Sequence, residues 1–159
     1  MKYQIKDKIE DLVVYCIGDN GPEKIEINKF FEGSKVLLIG VPGAFTPTCT
    51  EEHLPGYVKL KQSFFDKGIE KLIFISVNDP FVIKKWLDFN DANGIEFISD
   101  YDHNFLTKSG FKIDLSQIGL GMRLSRFAIL LNDGVITKIF DEDGAGLSQS
   151  SAESVLENL

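Results

Sequence analysis

Residues 35–57 read KVLLIGVPGAFTPTCTEEHLPGY. After Lys35, VLLIGV is a continuous apolar run of the length of a buried strand, closed by Pro42 and Gly43. After the Pro/Gly loop come Thr46, Pro47 and Thr48, residue types favoured where a helix begins, and then Glu51 and Glu52, whose charge suits a first helical turn. The segment is therefore a strand, a loop and a helix start, the opening of an α/β unit.

The rest of the chain repeats the pattern. Five further apolar runs bounded by turn residues predict strands: DLVVYCIG, KLIFISV, IEFIS, RFAILL and VITKIF. In FVIKKWLDFN the residues Val82, Ile83, Trp86, Leu87 and Phe89 gather on one side at helical spacing, behind Asn78, Asp79 and Pro80. That helix should cross back to the sheet. RFAILL and VITKIF, linked through Asn132, Asp133 and Gly134, predict an antiparallel hairpin. The closing SSAESVLENL carries serine cap candidates ahead of Ala152, Val155, Leu156 and Leu159 at near-helical spacing, a docked terminal helix. Strands alternating with helices and ending in a hairpin describe a three-layer α/β/α fold on a mixed sheet.

Length and composition agree. The 159 residues suit one domain, 1–159, and the mix of 43% hydrophobic and 26% charged residues is that of a globular chain. A formal charge of -7 argues against a nucleic-acid partner, because affinity for a phosphate backbone rests on Lys and Arg. No apolar run reaches the roughly 18 residues of a bilayer-spanning helix, so no membrane role is expected. The start MKYQIKDKIE lacks a signal-peptide core; the chain reads as cytoplasmic, or organellar if a targeting segment has been removed. Two cysteines are too few for a disulfide framework and suit a reducing compartment.

The chemistry sits at Cys49. A lone cysteine is more often packing than catalysis. Here it lies at or near a helix N-terminus, where unpaired N–H groups and the helix dipole favour thiolate over thiol. It also follows a loop at a strand end, the usual ligand position of α/β sheets, so catalysis is the better reading.

At this point the sequence resembles a known family. Pro42, Thr46 and Cys49 reproduce the P-x-x-x-T-x-x-C motif of peroxiredoxins, and VPGAFTPTCT with HLPGY is similar to the peroxiredoxin-5, or type II, subfamily. ISVNDPFVIKKW, RLSRFAILLNDG and GAGLSQSSAESVL resemble it in order and spacing, so the likeness runs from about Asp11 to Leu159. It implies a thioredoxin-like fold with additional N-terminal strands and a thiol peroxidase that reduces hydrogen peroxide and organic hydroperoxides. Cys49 would be the peroxidatic nucleophile. Thr46 would hydrogen-bond to the sulfur and the bound peroxide, Pro42 would shield the thiolate, and Arg126 would stabilise it and polarise the peroxide. A guanidinium suits that task better than an ammonium group. Arg123 matches a supporting basic position of the subfamily.

Two histidines complete the inventory. His53, four residues after Cys49, suggests a Cys-His dyad, but the family motif holds it without using it as a base, so a supporting or packing role is expected. His103 should be solvent-exposed. No zinc-ligand spacing exists, and no metal or cofactor is expected. Pro55 and Gly56 should kink the catalytic helix.

The second half of the cycle turns on Cys16. Many members of the subfamily carry a resolving cysteine near the segment matched by GAGLSQSS or, in plant-like members, on the strand before VND, where this chain has Gln149 with its serines and Phe74. Cys16 itself, inside LVVYCI, reads as a buried core thiol. A one-cysteine cycle follows, with an external thiol as reductant; the resemblance implies glutathione with glutaredoxin ahead of thioredoxin. The resemblance further implies a homodimer. Two other classes fit the residues less well. A peroxide sensor needs only a reactive thiol and not the whole Pro42, Thr46 and Arg126 set, and a disulfide reductase needs a C-x-x-C pair that the chain lacks.

Overall fold

In the computed structural model, which describes residues 2–144 and 146–159, nine strands and four α-helices build the chain. The strands are β1 (Val13–Gly18), β2 (Gly21–Glu26), β3 (Lys35–Gly40), β4 (Lys71–Ser76), β5 (Glu96–Ser99), β6 (Lys112–Leu115), β7 (Gly121–Leu124), β8 (Phe127–Asn132) and β9 (Val135–Asp141). The helices are α1 (Leu54–Asp66), α2 (Pro80–Phe89), α3 (Asn104–Ser109) and α4 (Ala152–Glu157). Seven strands form one sheet in the order β2-β1-β5-β4-β3-β8-β9, and β6 and β7 form a separate ribbon.

The sheet is mixed, as expected. The units β3-α1-β4 and β4-α2-β5 make parallel neighbours, whereas β8 joins β3 antiparallel and β1 joins β5 antiparallel. Period-two alternation on the buried strands feeds two cores. Val36, Leu38, Ile73, Ile75, Ile129 and Leu131 meet Phe105 and Leu106 of α3 on one face. Leu37, Ile39, Leu72, Phe74, Ala128 and Leu130 meet α1, α2 and α4 on the other. This is the three-layer, thioredoxin-like arrangement, with the β1-β2 hairpin as the added N-terminal strands.

Local chemistry accounts for the element ends. Asp79 caps α2 by accepting from the Val82 N–H at 3.0 Å, with Pro80 at the first helical position, and Ser151 caps α4 by accepting from Ser154 N–H. The hairpin link narrows to two residues, Asp133 and Gly134, both at positive φ, because Asn132 is already paired with Val135. The hydrophobic pattern did not reveal β2, β6 and β7. β2 (GPEKIE) is a polar edge strand, and four-residue strands are too short to show a period.

The central register sets up the site. Gly40 at the end of β3 is paired with Phe127 at the start of β8, and a Cβ at Gly40 would lie 2.0 Å from the Phe127 ring. That ring stacks on Phe111 with centroids 4.4 Å apart. Glycine at 40 thus lets β8 begin where Arg126 faces the chain leaving β3.

Candidate active site

The chain leaves β3 through Val41, Pro42, Gly43 and Ala44, all buried, and enters a helix at Pro47. Cys49 is the third residue of that helical stretch and is fully buried. The first turn bond runs from the Thr50 N–H to the Thr46 carbonyl at 3.0 Å, so the Cys49 N–H lies among those a helix start leaves without an intrahelical partner. The irregularity expected at Pro55 and Gly56 occurs one turn earlier, as a π turn over Cys49–His53 that precedes α1. Pro55 has no N–H to give the carbonyl one turn back, and widening the preceding turn accommodates that loss.

Arg126 is 4% exposed, and its Nη1 donates to Cys49 Sγ at 3.2 Å. The same nitrogen donates to His53 Nδ1, also at 3.2 Å. Arg126 Nε is buried and has no hydrogen-bond partner among the described residues. Burial, with the Arg126 charge second, depresses the His53 imidazole to a pKa of about 3, so it is neutral at physiological pH. Its Nε2 lies 3.0 Å from the Ser150 carbonyl, which can only accept. The proton is therefore on Nε2, and Nδ1 is free to accept from Arg126.

The loop before Cys49 is tied from three directions. Thr46 Oγ1 donates to the Gly43 carbonyl at 2.6 Å. This departs from the expectation that Thr46 bonds the sulfur: a hydroxyl has one proton, and here Gly43 takes it, leaving the Thr46 lone pairs to accept. Arg123, expected in a supporting position, donates through Nε to Leu120 O at 2.7 Å and through Nη1 to Pro42 O at 3.2 Å. Asn78 Oδ1 accepts from the Ala44 N–H and from the Ser76 hydroxyl, each at 2.8 Å.

Sequence reading missed several of these ties. Asn78 lies within the VND segment, where the sequence marks only a helix start. The Trp86 indole donates to Thr50 Oγ1 at 2.9 Å, and the Tyr57 hydroxyl donates to Ser150 O at 2.7 Å. Glu142 is 8% exposed, and its carboxylate collects the backbone N–H groups of Ser148, Gln149 and Ser150 and the hydroxyls of Ser148 and Ser150. In sequence DEDG looks like a solvated loop, and no local signal marks Glu142. Residue 145 of the matched GAGLSQSS segment lies outside the described residues.

Cys16 differs from expectation in burial. It is half-buried and lines a cleft of about 320 Å³ with Leu87, Ala92, Ile95 and Phe97, because only the polar edge strand β2 lies beyond β1. Burial, followed by the Glu23 charge and the hydrogen bond to it, raises the thiol to a pKa of about 11, so it is neutral. Both cysteines are free, and Phe74 sits in an aromatic cluster with His53, Tyr57 and Trp86. His103 is half-buried at a left-handed φ of 62° ahead of α3, rather than openly exposed. No group of three or more His, Cys, Asp or Glu among the described residues is placed to hold a metal. None of the helices among them is long and apolar enough to cross a membrane.

Residues 6–156 match the Redoxin family. The chain is 36% identical to peroxiredoxin-2D of Arabidopsis thaliana over 157 residues, covering 98% of this chain and 97% of that protein. Its fold superposes on reduced Prx3 from Vibrio vulnificus in complex with hydrogen peroxide, with a TM-score of 0.93 and 33% identity, covering 98% of each chain. It also superposes on the Plasmodium falciparum antioxidant protein, a 1-Cys peroxiredoxin, with a TM-score of 0.92 and 27% identity, again covering 98% of each.

Proposed function

The chain belongs to the Redoxin family as a peroxiredoxin of the peroxiredoxin-5 type, and from that premise we propose that this thiol peroxidase works through Cys49 as its nucleophile. The observation that carries the assignment is the Arg126 guanidinium, buried and 3.2 Å from Cys49 Sγ. In the reaction a sulfur lone pair attacks one peroxide oxygen, the S–O bond forms as the O–O bond breaks, and the other oxygen departs with the bonding pair and takes up a proton. Hydrogen peroxide yields water and an alkyl hydroperoxide yields an alcohol, with sulfenate left on Cys49.

Each neighbour then has a defined task. Arg126 Nη1 holds the sulfur anion, and the unpartnered Nε is a donor for the peroxide, where charge grows as the O–O bond breaks. Thr46 Oγ1, its proton spent on Gly43, accepts from the peroxide hydroxyl. Pro42 walls the sulfur from water, and Arg123 and Asn78 hold the loop that carries Pro42. His53 is neutral and receives Arg126, so it supports the arginine and is not the base.

The cycle closes with an external thiol. Cys16 is neutral, and Gln149 and Phe74 occupy the positions that the family resemblance assigns to a resolving cysteine, which supports the one-cysteine scheme. The reductant is glutathione with glutaredoxin in preference to thioredoxin. The protein acts as one domain over residues 1–159 and as a homodimer. The exposed Phe45, Phe81 and Phe89 support that assembly, the Phe45 and Phe89 rings lying 6.0 Å apart beside the loop before Cys49. A steady-state peroxide assay tests the scheme: turnover with glutathione and glutaredoxin should exceed turnover with thioredoxin, and the reverse order would reassign the reductant.

A further inference from the structure

Two acceptors organise the segment after β9, and they act in series. The first is the Glu142 carboxylate, which takes the Ser150 N–H at 2.7 Å, the Ser150 hydroxyl at 2.6 Å, the Ser148 N–H at 2.9 Å, the Ser148 hydroxyl at 3.0 Å and the Gln149 N–H at 3.2 Å. Burial by itself would raise this carboxyl, but those donors outweigh it and hold the group at a pKa of about 2. The second acceptor is the Ser150 carbonyl, which faces the opposite way and receives Tyr57 Oη–H at 2.7 Å and His53 Nε2–H at 3.0 Å. Ser150 is fully buried between the two.

The chain of contacts ends on the reacting sulfur. The Ser150 carbonyl selects the Nε2–H tautomer of His53, and that tautomer alone leaves Nδ1 with a lone pair for Arg126 Nη1. The Nδ1–H tautomer would place a proton against the guanidinium and push it from its place. Glu142 is also joined to Arg126 along the backbone, since its N–H donates to the Arg126 carbonyl at 3.3 Å.

We propose that Glu142 is a positioning residue of the peroxidase site: by gathering Ser148–Ser150 onto its carboxylate it aims the Ser150 carbonyl at His53, fixes the imidazole tautomer, and so keeps Arg126 on Cys49. The proposal rests on the assignment of Cys49 and Arg126 above, and it extends the site to the segment ahead of α4. Glutamine is the informative replacement, because its amide NH2 on either side would confront a backbone N–H that can only donate, from Gln149 or from Ser148 and Ser150.

The test reads the tautomer and the rate separately. Histidine-ring ¹⁵N spectra resolve the two tautomers, and with only His53 and His103 in the chain a His103→Asn variant assigns the signals. Wild type should show His53 as a single neutral Nε2–H form. Glu142→Gln should show that form lost or exchanging, and its Cys49 oxidation by hydrogen peroxide, followed by quenched-flow mass spectrometry, should slow about tenfold or more. In a His53→Phe background the same substitution should change the rate less than about twofold, because the relay is already cut. Should Glu142→Gln fail to fold, Ser150→Ala removes one hydroxyl bond and should perturb the tautomer with a loss of about fivefold. A lowered unfolding midpoint with tautomer and rate unchanged would leave Glu142 purely structural and overturn the proposal. So would a changed tautomer at unchanged rate, or additive losses in the double variant. Wild-type oxidation, measured first, tests the peroxidase assignment by itself, and the tautomer spectrum reports on the relay whatever that result.

Discussion

Arg126 and His53 face each other across 3.2 Å in the protein interior, a permanent cation against an imidazole that stays neutral. The pairing is a hydrogen bond with a defined direction, from Nη1 to Nδ1, and it leaves the second hydrogen of the same nitrogen for Cys49 Sγ. A protonated His53 could not accept that bond and would repel the arginine. The acid side of the stability curve should therefore be visible at this pair.

Stability against pH follows from three buried groups. His53 is depressed from about 6.5 to about 3, so its contribution is complete above about 6.5 and is lost as pH falls towards 3, where the unfolded chain takes a proton that the folded one refuses. Glu142, held at about 2, loses stability in the same direction between about 4.5 and 2. Asp100 opposes both: burial raises it to about 6 despite the N–H groups of Phe105 and Leu106, so it contributes stability as pH falls from about 6 to 3.8. One proton is worth about 1.4 kcal/mol per pH unit. Thermal unfolding should change little from pH 6 to 4, where His53 and Asp100 cancel, and drop steeply below 4. A Tm that peaks near pH 4 would show that His53 is not buried neutral.

Cys49→Ser should abolish peroxide turnover while the far-UV spectrum and unfolding midpoint stay near those of wild type, since serine is nearly isosteric and the site is fully buried. Turnover at wild-type rate in this variant would move the chemistry away from Cys49.

Arg126→Ala and Thr46→Val should each slow the first oxidation of Cys49 by about 10²-fold or more, the loss typical of one preorganised polar group in a water-excluded site. Valine at 46 also removes the bond to Gly43 O, so a change in loop order should accompany the rate. Stopped-flow oxidation that is unchanged in both variants would remove these side chains from the mechanism.

Cys16→Ser should retain nearly full activity with an external thiol, because the Cys16 thiol is neutral and bonded to Glu23. After one equivalent of peroxide, intact-mass spectrometry should find a lone sulfenate on Cys49, and excess peroxide should carry it to sulfinic acid. A disulfide is lighter than the sulfenate by one water. A dominant Cys16 to Cys49 disulfide, within or between chains, would end the one-cysteine scheme and favour thioredoxin.

Much of this protein was determined locally. The apolar runs became β1, β3, β4, β5, β8 and β9: the central β3, β4 and β8 are buried on both faces and so apolar almost throughout, the other three only in part, and the caps at Asp79 and Ser151 were legible because capping is a contact between near neighbours in sequence. Cys49 stood out because strand, loop and helix start are consecutive. What remained hidden depended on partners far apart in the chain. Thr46 turned its proton to Gly43, and Arg123 found its acceptor on Pro42, 81 residues away. Cys16 ended half-buried, because the depth of a strand residue depends on which strand lies beyond it, and here that is a polar edge. Glu142 carried no signal in DEDG. Its carboxylate acquires a role only when the sheet, α1 and the segment before α4 bring the Ser150 carbonyl against His53, 97 residues away, and a hydrogen bond of that span is written in no local pattern.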